Sequence, residues 1–476
     1  MKSNKNEETF SNIINSNIKK KEGKLIIKKK QFINQIKSTF INNFSKLLTI
    51  LILVFLNIYI IQFILWFYPN KNLKKEKKTL KNFNNINNII SEEQLNEDNK
   101  NLAIEEKIEE FVNSIGQLKE DEIFKFRKQN SENILIDKTK YPRNNKPEIS
   151  VILTMKNQAH CIHKALRSIQ NQSLKNIEII ISVDCSRDNS TETISSYMKE
   201  DERITMISHD TNEGTMKNRI DGIRKAKGKF ITIIDGDDSF IHKDILKNSL
   251  HIATLGNIDI VEFQGNMYIK GKLINFFHNH KVEGIIRQPE LRTKFFSNRR
   301  LILCRSIVGK IIKNEVFQKT IETIGPKYTE DYITLFEDTI MVVASYQIAQ
   351  SYYLFKRPGY YYSRDEYYKR NPYIPNRKCL ERQNVIRGVD SLKYINFLYD
   401  KMEDNEIERQ TLYHEIISIE QRKNFSRWSM KVNGHYDMLF RVLDKLFDNK
   451  YLTEKEKERL KTIKTKMINK KKNKYI

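Results

Sequence analysis

Glycine and proline are scarce in this chain, 15 and 8 in 476 residues, and cysteine is scarcer, at four. The first two scarcities exclude a collagen-like repeat and a Gly/Pro-rich low-complexity architecture. The cysteines, Cys161, Cys185, Cys304 and Cys379, are far apart and form no CxxC pair. That excludes a disulfide-dense mini-scaffold and a four-cysteine zinc module. Hydrophobic residues reach only 39%, low for a chain that is globular throughout, so solvated extensions are expected. Acidic residues fall short of basic ones, 59 against 84, for a net charge of +25. The surplus is mostly Lys interleaved with Asn and Ile along the whole chain, the pattern that compositional drift produces. No RNP-type aromatic motif or zinc-finger spacing accompanies it. No nucleic-acid partner is expected.

The length admits roughly two to four domains, and the texture of the sequence divides it. Residues 1–46 are Asn/Lys-rich with little apolar periodicity, a disordered basic tail. Residues 47–68, LLTILILVFLNIYIIQFILWFY, carry no charge over 22 positions. A helix of that length spans roughly 30 Å of hydrocarbon, and Trp66 and Tyr68 stand where an aromatic belt would lie. A single-pass transmembrane anchor is the reading, because the tail before it is too long for a signal-peptide n-region and no small-residue cleavage site follows. Lysines are nearly balanced across it, five in the twenty residues before and six in the twenty after, so orientation stays open. Residues 69–146 are polar with amphipathic helical stretches and read as a stem. Residues 147–375 form an α/β domain, and 376–476 a helical region ending in the basic run MINKKKNK.

The α/β domain announces itself by short apolar runs bounded by turn residues: ISVILT (149–154), IEIIISV (177–183), ITMIS (204–208) and FITII (230–234). Helical spacing separates them, with Gly228 placed to end one helix, so a mostly parallel, doubly wound, Rossmann-like sheet is expected. Ligands of such sheets bind beyond the carboxyl ends of the strands. The residues there are Thr154 and Asn157 after the first strand, Asp184 after the second, and Asp235-Gly236-Asp237-Asp238 after the fourth. Three carboxylates within four residues repel one another unless a hard cation such as Mg²⁺ or Mn²⁺ takes oxygen ligands from them. A solvated Asp-Gly turn, or Asp238 capping a helix that begins near His242, is the alternative. Asn212 and Gly214 open a helix whose amino end could receive a phosphate, with Arg219 within reach as a fork donor. Two Glu-Asp pairs follow, Glu330-Asp331 and Glu337-Asp338. The second starts an apolar helix, where acidic residues suit the dipole and a carboxylate could also act as general base. His160 and His163 read as surface residues, and Tyr360-Tyr361-Tyr362 as strand packing.

The order of these segments resembles the family 2 glycosyltransferases, from about Glu148 to Arg364. ISVILTMKNQAHCIHKALRSIQNQS is similar to their opening strand and helix, and IEIIISVDCSRDNST to the strand that ends in a nucleobase-contacting aspartate. NEGTMKNRIDGIRKAKGKFITIIDGDD is similar to the segment that ends in the DxD motif. LFEDTIMVVASYQIA with the later GYYYS is similar to the Glu-Asp helix and the strand after it. The resemblance implies the GT-A fold. It also implies substrate binding by Thr154, Asn157, Asp184, Arg219, Asp235 and Asp238, metal (Mn²⁺ or Mg²⁺) at Asp235 and Asp237, and catalysis by Asp338 with Glu337. Thr154, Met155-Lys156, Cys185 and Ile220 depart from the residues usual in the family. The resemblance further implies inverting transfer of one hexosyl or N-acetylhexosaminyl unit from a UDP-type nucleotide-sugar to a glycan, lipid or protein acceptor. The partners are then that donor, that acceptor and the membrane, with the domain in the ER/Golgi lumen. A catalytically inactive sugar-binding scaffold, and a basic polyanion-binding membrane protein, are the other classes considered.

Overall fold

Apolar residues recur with helical spacing along 104–115, at Ile104, Ile108, Phe111, Val112 and Ile115. They form one face of helix α1, which runs over 99–114. Helix α2 follows, Glu120–Ser131, with Ile123 and Phe126 buried. Both lie against the α/β domain. The ring of Phe111 sits 4.2 Å from that of His251, Glu105 Oε1 accepts the Ile285 N–H at 2.9 Å, and Asn171 donates to Asn130 at 2.8 Å. The stem expected over 69–146 therefore does not stand off the domain at 99–131. Ile108 belongs to the main core, with its Cδ1 close to Gly256.

The computed structural model describes residues 99–131, 146–269, 272–275, 282–296, 305–363, 377–420 and 436–472, all within the unit Asp98–Ile476. The expected tail (1–46), the anchor (47–68), the start and end of the stem, His278, His280 and Cys304 lie outside the described residues. Among the described residues no helix is long and apolar enough to cross a membrane.

Four strands match the apolar runs to within a residue: β1 Ile149–Met155, β2 Ile177–Asp184, β3 Ile204–His209 and β4 Phe230–Asp235. Helices α3 Ile162–Gln170, α4 Ser190–Glu200 and α5 Thr215–Lys225 connect them. β1, β2 and β4 are buried almost throughout, as strands covered on both faces must be. Each fully buried Ile or Val there contributes about 1.5–3 kcal/mol. Gly228 does not cap a helix. α5 ends at Lys225, and a Cβ on Gly228 would come within 2.4 Å of the Ser150 backbone nitrogen, so this glycine lets the chain re-enter the sheet against β1.

The remaining strands are β5 Ser239–Phe240, β6 Ile260–Ile269, β7 Lys272–Asn275, β8 Ile285–Arg287, β9 Lys310–Lys313 and β10 Ser351–Tyr361. Between them come helices α6 Ile245–Leu255, α7 Glu290–Phe296, α8 Asn314–Ile324, α9 Pro326–Thr329 and α10 Glu337–Ile348. The sheet order is β3-β2-β1-β4-β9-β6-β10-β5, with β7 on β6 and β8 on β10. β3, β2, β1 and β4 are mutually parallel. Beyond β4 the expectation of a mostly parallel sheet fails: β9 is antiparallel to both neighbours, as are β5, β7 and β8 to theirs. Among the described residues only β6 and β10 pair in parallel there. Helices α11 Arg377–Lys401, α12 Glu406–Glu420, α13 Tyr436–Phe447 and α14 Glu454–Lys472 complete the chain. Leu392, Ile395, Leu412 and Leu443 belong to the same hydrophobic cluster as β1 and β4.

Candidate active site

The chain runs outward from β1 to β2 and β3, then returns to the other side of β1 for β4. That reversal opens a crevice at the carboxyl ends of β1 and β4, the usual ligand position of an open α/β sheet. Thr154 and Asp235 are register partners there, and the Thr154 hydroxyl donates to Asp235 Oδ1 at 3.2 Å. α5 runs beside this point, and its Arg219 side chain, 3% exposed, enters it. Arg219 Nη2 binds Asp235 Oδ1 at 2.8 Å. Its Nη1 binds Asp338 Oδ1 and approaches Glu337 Oε1 at 3.4 Å. One guanidinium thus gathers three carboxylates from two distant segments, which suits its planar fork.

Electrostatics at this cluster are strongly perturbed. Burial opposes the charge of Arg219, but the carboxylates of Asp338, Asp235 and Glu337 outweigh it and hold the guanidinium protonated well above its usual range. Burial, reinforced by the Asp338 carboxylate, pushes Glu337 up to about 8. Asp338, the second residue of α10, also accepts the Ser306 hydroxyl on Oδ2 at 2.9 Å. Ser306 carries a carbonyl that takes Lys310 Nζ at 2.8 Å, and Lys310 pairs with Glu262 at 2.8 Å with both side chains 1% exposed.

The other candidates fall around this centre. Asp184 is buried; its Oδ1 accepts the Glu213 N–H at 2.7 Å, and Lys156 Nζ stands 3.6 Å from Oδ2. Asn157 adopts φ 52° and ties two loops together, its N–H donating to Ser186 Oγ and its Oδ1 accepting the Arg187 N–H. Asp237 is partly exposed and lies 3.5 Å from Gln158 Nε2. Asp238, expected to contact substrate, is 1% exposed with both oxygens engaged, by the Tyr360 hydroxyl at 2.6 Å and the Ser363 N–H at 2.8 Å. Burial, then the Asp235 carboxylate, pushes it up to about 8. It braces the loop after β4 against β10, and it does not cap a helix, since α6 begins only at Ile245 behind Asp244.

The amino end of α5, which could have received a phosphate, is partly taken up by protein: the Met216 N–H donates to the Ile333 carbonyl at 3.0 Å, and Asn212 donates to the Tyr332 hydroxyl at 3.0 Å. Gly214, at φ 89°, faces the Ile333 backbone so closely that a Cβ would lie 3.2 Å from it. Its neighbour is protein, and the glycine serves that packing. The two Glu-Asp pairs also separate. Glu330 binds Lys217 and Arg224, and Asp331 binds Lys393, while Glu337 and Asp338 join Arg219. Tyr360 is fully buried, as strand packing requires, and its oxygen accepts the Asp235 N–H at 3.3 Å.

Ser306 and Gln158 were not legible as site residues. Ser306 lies outside the quoted segments and reaches Asp338 only through the fold; Gln158 lies within the first of them, but nothing there marks it as the neighbour of Asp237. Among the described residues no group of three or more His, Cys, Asp or Glu side chains is arranged to hold a metal ion. Asp235 and Asp237, at the carboxyl end of β4, are both partly exposed.

Comparison with known proteins bears on the same segment. Residues 150–317 match the family model described as Glycosyl transferase family 2. An uncharacterized glycosyltransferase of Haemophilus influenzae is 35% identical over 129 residues, 26% of this chain and 51% of that protein. The GalNAc(5)-diNAcBac-PP-undecaprenol beta-1,3-glucosyltransferase of Campylobacter jejuni is 32% identical over 127 residues, 25% of this chain and 41% of that protein. Glycosyltransferase GlyG of Streptococcus pneumoniae is 25% identical over 293 residues, 58% of this chain and 93% of that protein. The chain thus spans about half the length, or less, of the first two.

Proposed function

We propose that the protein is a glycosyltransferase that moves one sugar from a nucleoside diphosphate sugar, of UDP type, to a hydroxyl of a glycan, lipid or protein acceptor, with inversion. The observation that carries this reading is the Arg219 cluster. It gathers Asp235, Glu337 and Asp338 at the switch point of the sheet; Arg219 and Asp235 lie within the region matched by the glycosyl transferase family 2 model, and Glu337 and Asp338 follow its end. The named activity of the Campylobacter jejuni relative supports an acceptor of the lipid-linked glycan kind.

In this mechanism the acceptor oxygen forms its bond to the anomeric carbon from the face opposite the leaving group. The bond from that carbon to the diphosphate breaks, and its electron pair leaves with the diphosphate. Asp338 takes the acceptor proton. Arg219 and Ser306 each occupy one of its oxygens, and each oxygen keeps a second lone pair for that proton. Burial raises Glu337 and favours its protonated form, while Asp338, held by Arg219 and Ser306, is the carboxylate placed to act as base. A positioned general base supplies about 10²–10⁴-fold. Two carboxylates, Asp235 and Asp237, are the share a protein gives a hard divalent cation whose shell substrate phosphates complete. Mg²⁺ or Mn²⁺ held by them would supply Lewis-acid neutralisation of the diphosphate.

The test assays the full chain against a panel of UDP- and GDP-sugars with Mn²⁺, scoring nucleoside diphosphate release beside Asp237→Asn and Asp338→Asn. Release from one donor, lost with EDTA and in both variants, is the expected result. No release together with no metal-dependent nucleotide binding would sink the proposal in favour of a sugar-binding scaffold. A single-pass anchor at 47–68 with the domain in the secretory-pathway lumen belongs to the same proposal, motivated by the uncharged run in the sequence. Digestion of the domain by protease added outside intact vesicles would refute that placement.

A further inference from the structure

Helix α11 carries no motif, yet one of its faces grips the segment that leads into α10. Asp390, Lys393 and Tyr394 stand at i, i+3 and i+4 and so share that face. The Asp390 carboxylate, 1% exposed, accepts the backbone N–H groups of Thr334 and Leu335, each at 2.9 Å, and the Thr334 hydroxyl at 3.2 Å. Lys393 Nζ donates to the Tyr332 carbonyl at 3.1 Å and pairs with Asp331 at 2.6 Å. The Tyr394 ring lies flat on that of Phe336, with centroids 4.6 Å apart and planes 3° apart.

Phe336 is the residue that needs holding. It adopts φ 67° and ψ 2°, a left-handed conformation that costs a residue with a side chain about 1–2 kcal/mol. Such a conformation persists where its surroundings over-determine it. The residues immediately after it are Glu337 and Asp338, and its own carbonyl accepts the Ile340 N–H that starts α10. The left-handed turn therefore sets the direction from which both carboxylates approach Arg219.

We propose that α11 is a positioning clamp for the catalytic carboxylate: Asp390, Lys393 and Tyr394 hold the 331–336 segment so that the Phe336 turn aims Asp338 at Arg219 and at the acceptor. The clamp rests on the proposed role of Asp338 and assigns a task to the helical region that follows the sheet. None of the three side chains touches substrate in this scheme. A displacement of about 1 Å at the reacting group is enough to cost on the order of 10²-fold in rate.

The test uses the full chain carrying Asp390→Ala, Asp390→Asn, Tyr394→Leu or Tyr394→Phe, with Asp338→Asn as reference. It reads amide hydrogen exchange, UDP binding in Mn²⁺, and turnover of the donor on which the wild type is active. In the Ala and Leu variants exchange should rise about tenfold or more across 333–338 and stay unchanged in β1 and β4. Their kcat should fall about 10²-fold while UDP affinity stays within about twofold. Asp390→Asn keeps an acceptor oxygen and Tyr394→Phe keeps the ring, so both should recover most of the rate. Wild-type exchange at 333–338, or a rise spread over the whole sheet in both the Ala and the Leu variants, overturns the clamp. So does wild-type kcat in Asp390→Ala beside an inactive Asp338→Asn. An Asp338→Asn protein that keeps full turnover overturns instead the base assignment, and the catalytic half of this proposal with it, while the exchange data still decide whether the clamp exists.

Discussion

Asp238→Asn should make the folded chain less sensitive to pH without loosening the loop after β4. The wild-type carboxyl is buried and is raised from 3.8 to about 8 by that burial and by the neighbouring Asp235 carboxylate. The Ser363 N–H, the Tyr360 hydroxyl and Arg219 oppose the rise. A group that binds its proton more tightly when folded contributes stability that is complete below its unfolded pKa and is lost as pH rises toward its folded one. For Asp238 that window runs from about pH 4 to about pH 8. Within it the contribution falls by about 1.4 kcal/mol per pH unit, or on the order of 3 kcal/mol between about pH 5 and about pH 7. An Asn side chain keeps the Ser363 N–H on its carbonyl oxygen, and where Oδ2 accepted the Tyr360 hydroxyl it offers an amide, which donates to the Tyr360 oxygen once that hydroxyl turns away. The variant should therefore lose the pH slope and keep the fold. Calorimetric unfolding at about pH 6 in buffers of different ionisation enthalpy measures the difference directly, since the wild type should release about one proton more than the variant. Equal proton release, with equal loss of stability from about pH 5 to about pH 7, would show that Asp238 is ionised in the folded chain and refute the reasoning.

Lys310→Met should destabilise the chain by about 3–5 kcal/mol, because it leaves the buried Glu262 carboxylate without its ammonium. Combining it with Glu262→Leu should restore much of the loss, read as the urea midpoint at neutral pH, and a double variant no better than the single would contradict this. Gly228→Ala should cost about 1–3 kcal/mol, since its new methyl must push β1 away at the Ser150 backbone. An unchanged melting temperature would mean that β1 yields there without strain.

The parallel half of the sheet was legible because burial on both faces leaves a strand no room for polar alternation. The runs at Ile149, Ile177 and Phe230 are continuous for that reason, and their ends fall within a residue of the observed strands. The mixed half was not. β6 reads IVEFQGNMYI and β9 reads KIIK, and a charged residue in a short apolar run argues against a buried strand. Here Glu262 of β6 and Lys310 of β9 are register partners that neutralise each other inside the core. Each strand contains the reason for the other's polar residue, and neither contains it alone. β10, SYYLFKRPGYY, carries a proline and an arginine, and its pairing with β6 shifts register on either side of Pro358, so only its Tyr-rich end declared itself.

The candidate site divides along the same line. Asp235, Arg219 and Asp338 were legible because each owes its placement to a local feature, a strand end or the first turns of a helix, and those features can be read in a window of a few residues. The choice between Asp331 and Asp338 could not be made that way. Both follow a Glu, both precede apolar residues, and either could serve as a base. What separates them is the partner each meets in space: Lys393 of α11 for Asp331, and Arg219 of α5 for Asp338. Gly214 stayed open for the converse reason, since a glycine that opens a helix looks alike whether ligand or protein lies against it. Ile333 lies against it, one residue before the Thr334 that Asp390 holds. The segment that lies against the amino end of α5 is therefore the same segment that α11 grips. The position of Asp338 and the shape of the crevice are coupled through six residues, 331–336, whose conformation is decided by a helix some sixty positions later.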